Sequence, residues 1–336
     1  MKLLRKILFP IVPIYYLVTW LRNRFYDLGL FKSQSYPVPI ICVGNLSTGG
    51  TGKSPMIELL IHFLKDSFCV ATLSRGYKRE TEGFRLATVS DSAKTLGDEP
   101  FQFYSKFHKN VQIAVDSNRQ RGIENLLRLP KKPNVILLDD AFQHRKVTAG
   151  LNILLTTYQD LYADDLVLPT GNLREPKEGA KRAQIIVVTK CPDDISALEK
   201  KQIISKLKPQ NNQEVFFSAI EYSEIVFSAE ASYNLSNLKT FTLITGIANA
   251  GPLVSYLKNS GLEFEHLNFP DHHVFTDAEI LKLAQFEILL TTEKDFMRLK
   301  VYETLRKKLF FIPIKAVIHE QERFQNLVLN YIKGAV

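Results

Sequence analysis

Cysteine is scarce in this chain: 336 residues contain three, Cys42, Cys69 and Cys191, far apart and without a C-x-x-C pair. A structural zinc site is therefore not expected. Two of the three lie in apolar strand-like runs, which suits buried reduced thiols in a reducing cytosolic compartment. Low-complexity tracts and internal repeats are also missing, while 45% of residues are hydrophobic and 23% charged. That balance is the composition of a folded globular protein. The length exceeds what one hydrophobic core usually serves, so two domains are expected.

Missing too is an apolar run long enough to cross a bilayer at the N-terminus. Residues Ile7 to Leu21 (ILFPIVPIYYLVTWL) carry no charge, but the run falls short of the roughly 20 residues a spanning helix needs. Pro10 and Pro13 interrupt its first half, and no small-residue cleavage site follows, which argues against a cleaved secretory signal. Lys2, Arg5 and Lys6 precede the run, Arg22 and Arg24 follow it, and Tyr15, Tyr16 and Trp20 favour the headgroup level. The expectation is a helix over 1–25 lying in the membrane interface; a core helix of the following domain is the plainer alternative. The formal net charge of +8 suits nucleic acid, anionic lipid or a phosphorylated substrate, so its location matters more than its total.

The stretch richest in chemistry is Val38 to Pro55, VPIICVGNLSTGGTGKSP. An apolar, β-branched run predicts a buried strand, and Met56, Leu59, Leu60, Phe63 and Leu64 have helical spacing. Between them lie Gly49, Gly50, Thr51 and Gly52, then Lys53 and Ser54. This is the order of a phosphate-binding loop. Glycines let backbone N–H groups approach phosphate oxygens, the lysine reaches the outer phosphates, and the serine hydroxyl serves a magnesium ion. The pattern G-x-x-x-x-G-K-[ST] is imperfect, because Ser47 stands where its first glycine belongs.

Further strands are expected at Cys69–Ser74, Val111–Val115, Leu151–Thr156, Ile185–Thr189 and Glu214–Ile220. Val135 to Leu138 runs into Asp139-Asp140, the arrangement in which a carboxylate at a strand end holds magnesium across from the serine hydroxyl. Asp98-Glu99 opens an aromatic helix (Phe101, Phe103, Tyr104, Phe107), either as solvated surface or as cleft lining. Arg174, in the turn-rich stretch LPTGNLREP, either neutralises phosphate charge or forms a surface pair with Glu175. Thr189-Lys190-Cys191-Pro192-Asp193 is expected as a strand-end loop near the nucleotide's base, without identifying that base. The polar stretch Glu230–Lys239 is the candidate linker, after which strands and helices alternate again in a smaller α/β unit, with Leu309–Ile314 as its last strand. Its loops carry Asp271-His272-His273 and Thr291-Thr292-Glu293-Lys294-Asp295, and an Asp–His pair near a reacting hydroxyl is the functional reading there.

Taken in order, VGNLSTGGTGKSP, SRGY, LGDEP, DDAFQH, GNLREP, VVTK, FPDHHVF and TTEKD resemble the tetraacyldisaccharide 4'-kinase family over nearly the whole chain. One departure is Ala141, where the family usually has glycine. The resemblance implies a P-loop NTPase-like α/β fold: a mostly parallel sheet with flanking helices over 26–235, a smaller α/β domain over 236–336 closing the cleft, and the interfacial helix 1–25. It implies transfer of the ATP γ-phosphate, with Mg²⁺, to the 4'-hydroxyl of the lipid A disaccharide precursor. This places the protein as a monomer on the anionic cytoplasmic face of a bacterial inner membrane, with no nucleic-acid partner. Carried over by position, Gly49, Gly50, Thr51, Gly52, Lys53 and Ser54 hold the nucleotide; Ser54, Asp139 and Glu99 hold the metal. Arg174 and Lys53 lie at the phosphates, and Asp98 is the base, tuned by His272 or its neighbour. Residue chemistry alone leaves Asp98 and Asp140 both open as that base. It also leaves a competing class open, a membrane-anchored nucleotide switch of the partition or targeting type.

Overall fold

The computed structural model describes residue 5, residues 7–271 and residues 273–335. Its strands, in chain order, are β1 Ile40–Asn45, β2 Val70–Ser74, β3 Arg85–Leu86, β4 Gln112–Val115, β5 Val135–Asp139, β6 Leu151–Thr157, β7 Ile185–Thr189 and β8 Glu214–Tyr222. They are followed by β9 Ile225–Phe227, β10 Ser232–Asn234, β11 Thr240–Thr245, β12 Glu263–Asn268, β13 Leu289–Thr292, β14 Leu309–Ile312 and β15 Ile314–Ile318.

The first sheet has nine strands in the order β15-β8-β7-β6-β1-β5-β2-β4-β3. From β8 to β4 neighbouring strands are parallel, and the edge strands β15 and β3 are antiparallel. Helices cover both faces, so β1, β2, β5 and β7 are buried at every position. This is why they read as unbroken β-branched and leucine runs rather than alternating ones. Separate apolar clusters fill the two faces, one around Leu46, Leu154 and Ile186, the other around Met56, Ile57, Leu60 and Phe216. β1 and β6 are neighbours, and the chain leaves β1 toward β2 but leaves β6 toward β7, so the connections from their carboxyl ends run in opposite directions. In open parallel sheets, ligands bind at that switch point.

The second sheet has six strands in the order β10-β9-β14-β13-β11-β12. Its boundaries differ from the expected 236–336 at both ends. The stretch Glu230–Lys239 is no linker: β9 and β10 form an antiparallel edge of this sheet, with Leu235 and Leu238 buried in its core. At the other end the expected strand Leu309–Ile314 breaks at Pro313, whose missing N–H cannot extend the ladder. β15 then crosses to pair with β8, and the helix Gln321–Gly334 buries Phe324, Val328 and Ile332 beneath the first sheet.

At the N-terminus, a 3₁₀ turn over Phe9–Ile11 leads into the helix Val12–Asp27, none of whose residues is buried. No helix among the described residues is long and apolar enough to cross a membrane. Cys42 and Cys191 are buried free thiols, as their apolar surroundings suggest, and Cys69 is half-buried.

Candidate active site

From Asn45 the chain turns through Leu46–Gly52 into the helix Lys53–Leu64. Gly49 and Gly52 take φ of +111° and +87°, conformations that side chains with a Cβ rarely adopt. The loop is held from outside. Thr48 N donates to the Asn172 carbonyl at 2.8 Å and Arg174 N to the Leu46 carbonyl at 2.7 Å. Lys190 Nζ donates to the Gly50 carbonyl at 2.6 Å and the Thr189 hydroxyl to the Thr51 carbonyl at 2.8 Å. These bonds fix an open cradle of backbone. Lys53 Nζ lies 3.5 Å from Asn45 Oδ1 and 3.7 Å from Asp140 Oδ1, and Ser54 follows it on the helix.

β5 delivers Asp139 and Asp140 next to this loop, and the two differ sharply. Asp139 is buried, its Oδ2 accepts from the Ser74 hydroxyl at 3.1 Å, and its backbone carbonyl accepts from Arg119 at 3.1 Å. Its Oδ1 is buried with no hydrogen-bond partner. Burial, then the charges of Glu99 and Asp140, push its pKa up to about 7 against the pull of Lys53 and Arg119. Asp140 has a φ of +47° that swings it the other way. Arg174 Nη1 donates to both its oxygens, at 2.9 and 3.0 Å. Burial alone would raise its pKa; Lys53 and Arg174 overcome that and hold it below the ordinary value.

Asp98 and Glu99 occupy the first turn of the helix Asp98–Phe107, entered through Gly97 at φ +93°. Glu99 borders a cavity of about 390 Å³ together with Thr48, Tyr77, Asp139, Asp140 and Arg174. Asp98 points toward the second sheet, where Arg298 Nε donates to it at 2.9 Å. Lys53, Asp139, Glu99 and Arg174 are thus brought together, and Asp98 is held at the edge nearest the second sheet. His272 lies outside the described residues. Its neighbour His273 bonds Glu279 at 3.0 Å and stacks on Phe269.

An unsatisfied buried carboxylate oxygen is costly unless a cation completes it. Asp139 Oδ1 is therefore the feature by which magnesium fits here, with Glu99 beside it and a serine hydroxyl on the phosphate-loop helix. Among the described residues no cluster of three or more His, Cys, Asp or Glu side chains is arranged to hold a metal alone. Magnesium does not require one, since it keeps waters and phosphate oxygens and needs only one or two carboxylates.

Sequence reasoning passed over several residues that shape the site. Asp140, which residue chemistry offers as a possible base, is the shared anchor of Lys53 and Arg174. Glu175, which the sequence offers as an alternative surface partner for Arg174, is instead 2% exposed and accepts from Gln143, Arg182 and Asn23 at 2.9, 2.8 and 2.5 Å. Arg119 lies in no motif, and Ser74 opens the SRGY block without any role attached to it. Arg298, a few residues beyond TTEKD on the same short helix, was the one with a usable signal: a cation close to a block already singled out.

A family profile described as Tetraacyldisaccharide-1-P 4'-kinase matches residues 4–333. A protein named Tetraacyldisaccharide 4'-kinase from Flavobacterium johnsoniae is 50% identical over 339 residues, covering 99% of this chain and 98% of its own. One of the same name from Flavobacterium psychrophilum is 49% identical over 344 residues, covering 100% and 99%. Among solved structures, the "apo" form of LpxK from Aquifex aeolicus in complex with ATP superimposes with a TM-score of 0.78. It is 30% identical and covers 98% of this chain and 99% of its own.

Proposed function

This chain belongs to the tetraacyldisaccharide-1-phosphate 4'-kinase family, and on that premise we propose how its residues divide the work. It is an ATP-dependent kinase that phosphorylates the 4'-hydroxyl of tetraacyldisaccharide 1-phosphate in lipid A biosynthesis. Phosphoryl transfer requires an in-line geometry and neutralisation of charge, with one group to take the hydroxyl proton.

On the donor side, the backbone of Gly49 to Gly52 wraps the phosphates and Lys53 reaches the outer ones. Lys53 and Arg174 both rest on Asp140, so two cations are held ready with their charge partly balanced until phosphate arrives. Asp139, Glu99 and the Ser54 hydroxyl would hold magnesium, which supplies neutralisation of the transferring group when bound. The observation that carries this reading is the buried, unpartnered Asp139 Oδ1 in the cavity shared with Glu99 and Arg174.

On the acceptor side, Asp98 takes the proton of the sugar hydroxyl, and His272, on the family's pattern, tunes it. Arg298 fixes the carboxylate's direction. A nucleotide switch has no need of that acceptor side. The acyl chains keep the substrate in the bilayer, each buried methylene contributing roughly 0.8 kcal/mol, so the enzyme must work at the surface. The helix Val12–Asp27 fits that role. Ile14, Val18 and Leu21 form an exposed apolar stripe, while Tyr15, Arg22 and Asn23 bond the body of the protein. The protein then acts as a monomer peripheral to the cytoplasmic face of the inner membrane.

The test is incubation of the purified protein with γ-labelled ATP, magnesium and tetraacyldisaccharide 1-phosphate in detergent micelles. Label on the lipid, lost when Asp139 becomes Asn, is the expected result. Hydrolysis of ATP without label on the lipid overturns the assignment.

A further inference from the structure

The N-terminal helix is joined to the catalytic arginine by a short run of hydrogen bonds. The Tyr15 hydroxyl donates to the Arg174 backbone carbonyl at 2.9 Å. Two turns further along, Asn23 Nδ2 donates to Glu175 at 2.5 Å, on the residue that follows Arg174. Before the helix, Arg5 grips the same loop: its Nε, Nη1 and Nη2 donate to the Pro169 carbonyl, Asn172 Oδ1 and the Gly171 carbonyl at 3.1, 2.8 and 3.0 Å. The loop that carries Arg174 is therefore bracketed from one side by the helix and from the other by the phosphate loop, through Arg174 N to Leu46 O. Tyr15 lies within electrostatic reach of both Arg174 and Glu175, which oppose one another in setting its pKa above the ordinary phenol value, after burial as the main cause.

We propose that Tyr15 is a positioning residue for Arg174, so that the membrane-facing helix is part of the catalytic apparatus as well as a means of attachment. The physical argument is one of leverage. Arg174 meets Asp140 through a single Nη1 nitrogen, so the carboxylate it abandons when phosphate arrives does not fix its backbone. What fixes the backbone at that moment is the carbonyl bond from Tyr15 on one side and the amide bond to Leu46 on the other. Loss of the phenol hydroxyl leaves the ring packed where it is and frees one of those two restraints.

This rests on the reading of Arg174 as a phosphate-neutralising group. The experiment measures kcat, both KM values and the thermal midpoint for the full-length wild type, Tyr15→Phe, Arg174→Ala and the double variant, in detergent micelles with tetraacyldisaccharide 1-phosphate. Tyr15→Phe is expected to lower kcat about fivefold to tenfold, with both KM values and the midpoint essentially unchanged. In the Arg174→Ala background the same change is expected to cost less than about twofold. Wild-type kcat in Tyr15→Phe, or an equal loss in both backgrounds, overturns the proposal. An Arg174→Ala variant with undiminished kcat overturns the underlying reading of Arg174 instead.

Discussion

Arg298 and Asp98 join the two sheets. From the short helix after β13, Arg298 donates through Nε to Asp98 Oδ2 at 2.9 Å and through Nη2 to the same oxygen, while its Nη1 reaches Asp295 at 3.1 Å. The Asp295 side chain has no exposure, and it also accepts from Gly246 N at 2.8 Å. One guanidinium thus satisfies a buried carboxylate and orients a half-buried one at the mouth of the site. Arg298→Ala is expected to leave Asp295 short of its cation, destabilising the protein by about 2–3 kcal/mol. It is also expected to lower kcat by loosening Asp98. Urea unfolding and steady-state kinetics check the two effects separately; a variant as stable as the wild type contradicts this role.

Asp98 itself is expected to matter for turnover and not for nucleotide affinity. Asp98→Asn keeps the shape of the side chain and removes the base, so kcat should fall by about 10²–10⁴-fold. Titration with a fluorescent ATP analogue should give a wild-type dissociation constant. Undiminished lipid phosphorylation by this variant removes Asp98 from the mechanism and returns attention to Asp140.

A second group of charges links the same parts of the chain. Lys106 Nζ sits 2.6 Å from Glu58, on the phosphate-loop helix, and 2.8 Å from Glu293, at the start of the helix bearing Arg298. Burial pushes Glu58 up to about 7 although Lys106 opposes it, with Glu293 adding to the rise. Lys106 is meanwhile shifted upward, because the two acids outweigh its own burial. One cation between two carboxylates is neutral when one of them keeps its proton, and burial makes Glu58 the one that does. Between pH 4.5 and about 7 the unfolded chain has released a proton that the folded chain retains. Stability from this group therefore falls as pH rises through that window. Glu58→Gln keeps a neutral partner throughout. Its stability relative to the wild type should climb between pH 5 and pH 8, by on the order of 2–3 kcal/mol. Urea midpoints at both pH values measure it, and parallel pH curves refute it.

Gly97 is the hinge on which Asp98 enters its helix. At φ +93° and ψ 156° it occupies backbone space open essentially to glycine alone, and a Cβ there would stand 3.0 Å from the Tyr77 carbonyl oxygen. Gly97→Ala is expected to cost about 1–3 kcal/mol and to displace Asp98 and Glu99 together. Turnover and magnesium-dependent ATP binding should both drop. Loss of one without the other in kinetic and binding assays would mean that the two carboxylates move independently.

Legibility of the chain followed the range of the interactions. The loop from Gly49 to Ser54, the strand ending at Asp139 and the helix opened by Asp98 were readable because each is a local pattern of backbone freedom, burial and charge. Asp140 was not, since nothing in an Asp-Asp pair reveals that a positive φ turns the second residue toward Lys53 and Arg174. Arg298 answers Asp98 across most of the chain, and no spacing rule reaches that far. β10 was hidden by its composition: Ser232, Tyr233 and Asn234 are all exposed at a sheet edge, so they lack the alternation that marks a half-buried strand. The return of β15 was hidden by Pro313, which divides what reads as a single apolar run between two different sheets.

The outer face of the N-terminal helix makes a prediction that separates attachment from positioning. Ile14, Val18, Leu21 and Phe25 follow one another at intervals of three or four along that face, and Ile14 and Val18 are 65% and 60% exposed. In water such a stripe is unfavourable; in an interface each fully buried side chain contributes about 1.5–3 kcal/mol. Ile14→Glu combined with Val18→Glu also adds anionic charge against an anionic leaflet. The pair should weaken association with phosphatidylglycerol-containing vesicles by at least about a hundredfold, as read by sedimentation. Nucleotide affinity should be untouched, because neither side chain faces the loop that Tyr15 and Asn23 hold. The phenol change Tyr15→Phe should do the reverse and leave vesicle binding at the wild-type level. If the glutamate pair sediments with vesicles as the wild type does, the exposed stripe is not the membrane face, and attachment must come from elsewhere on the chain.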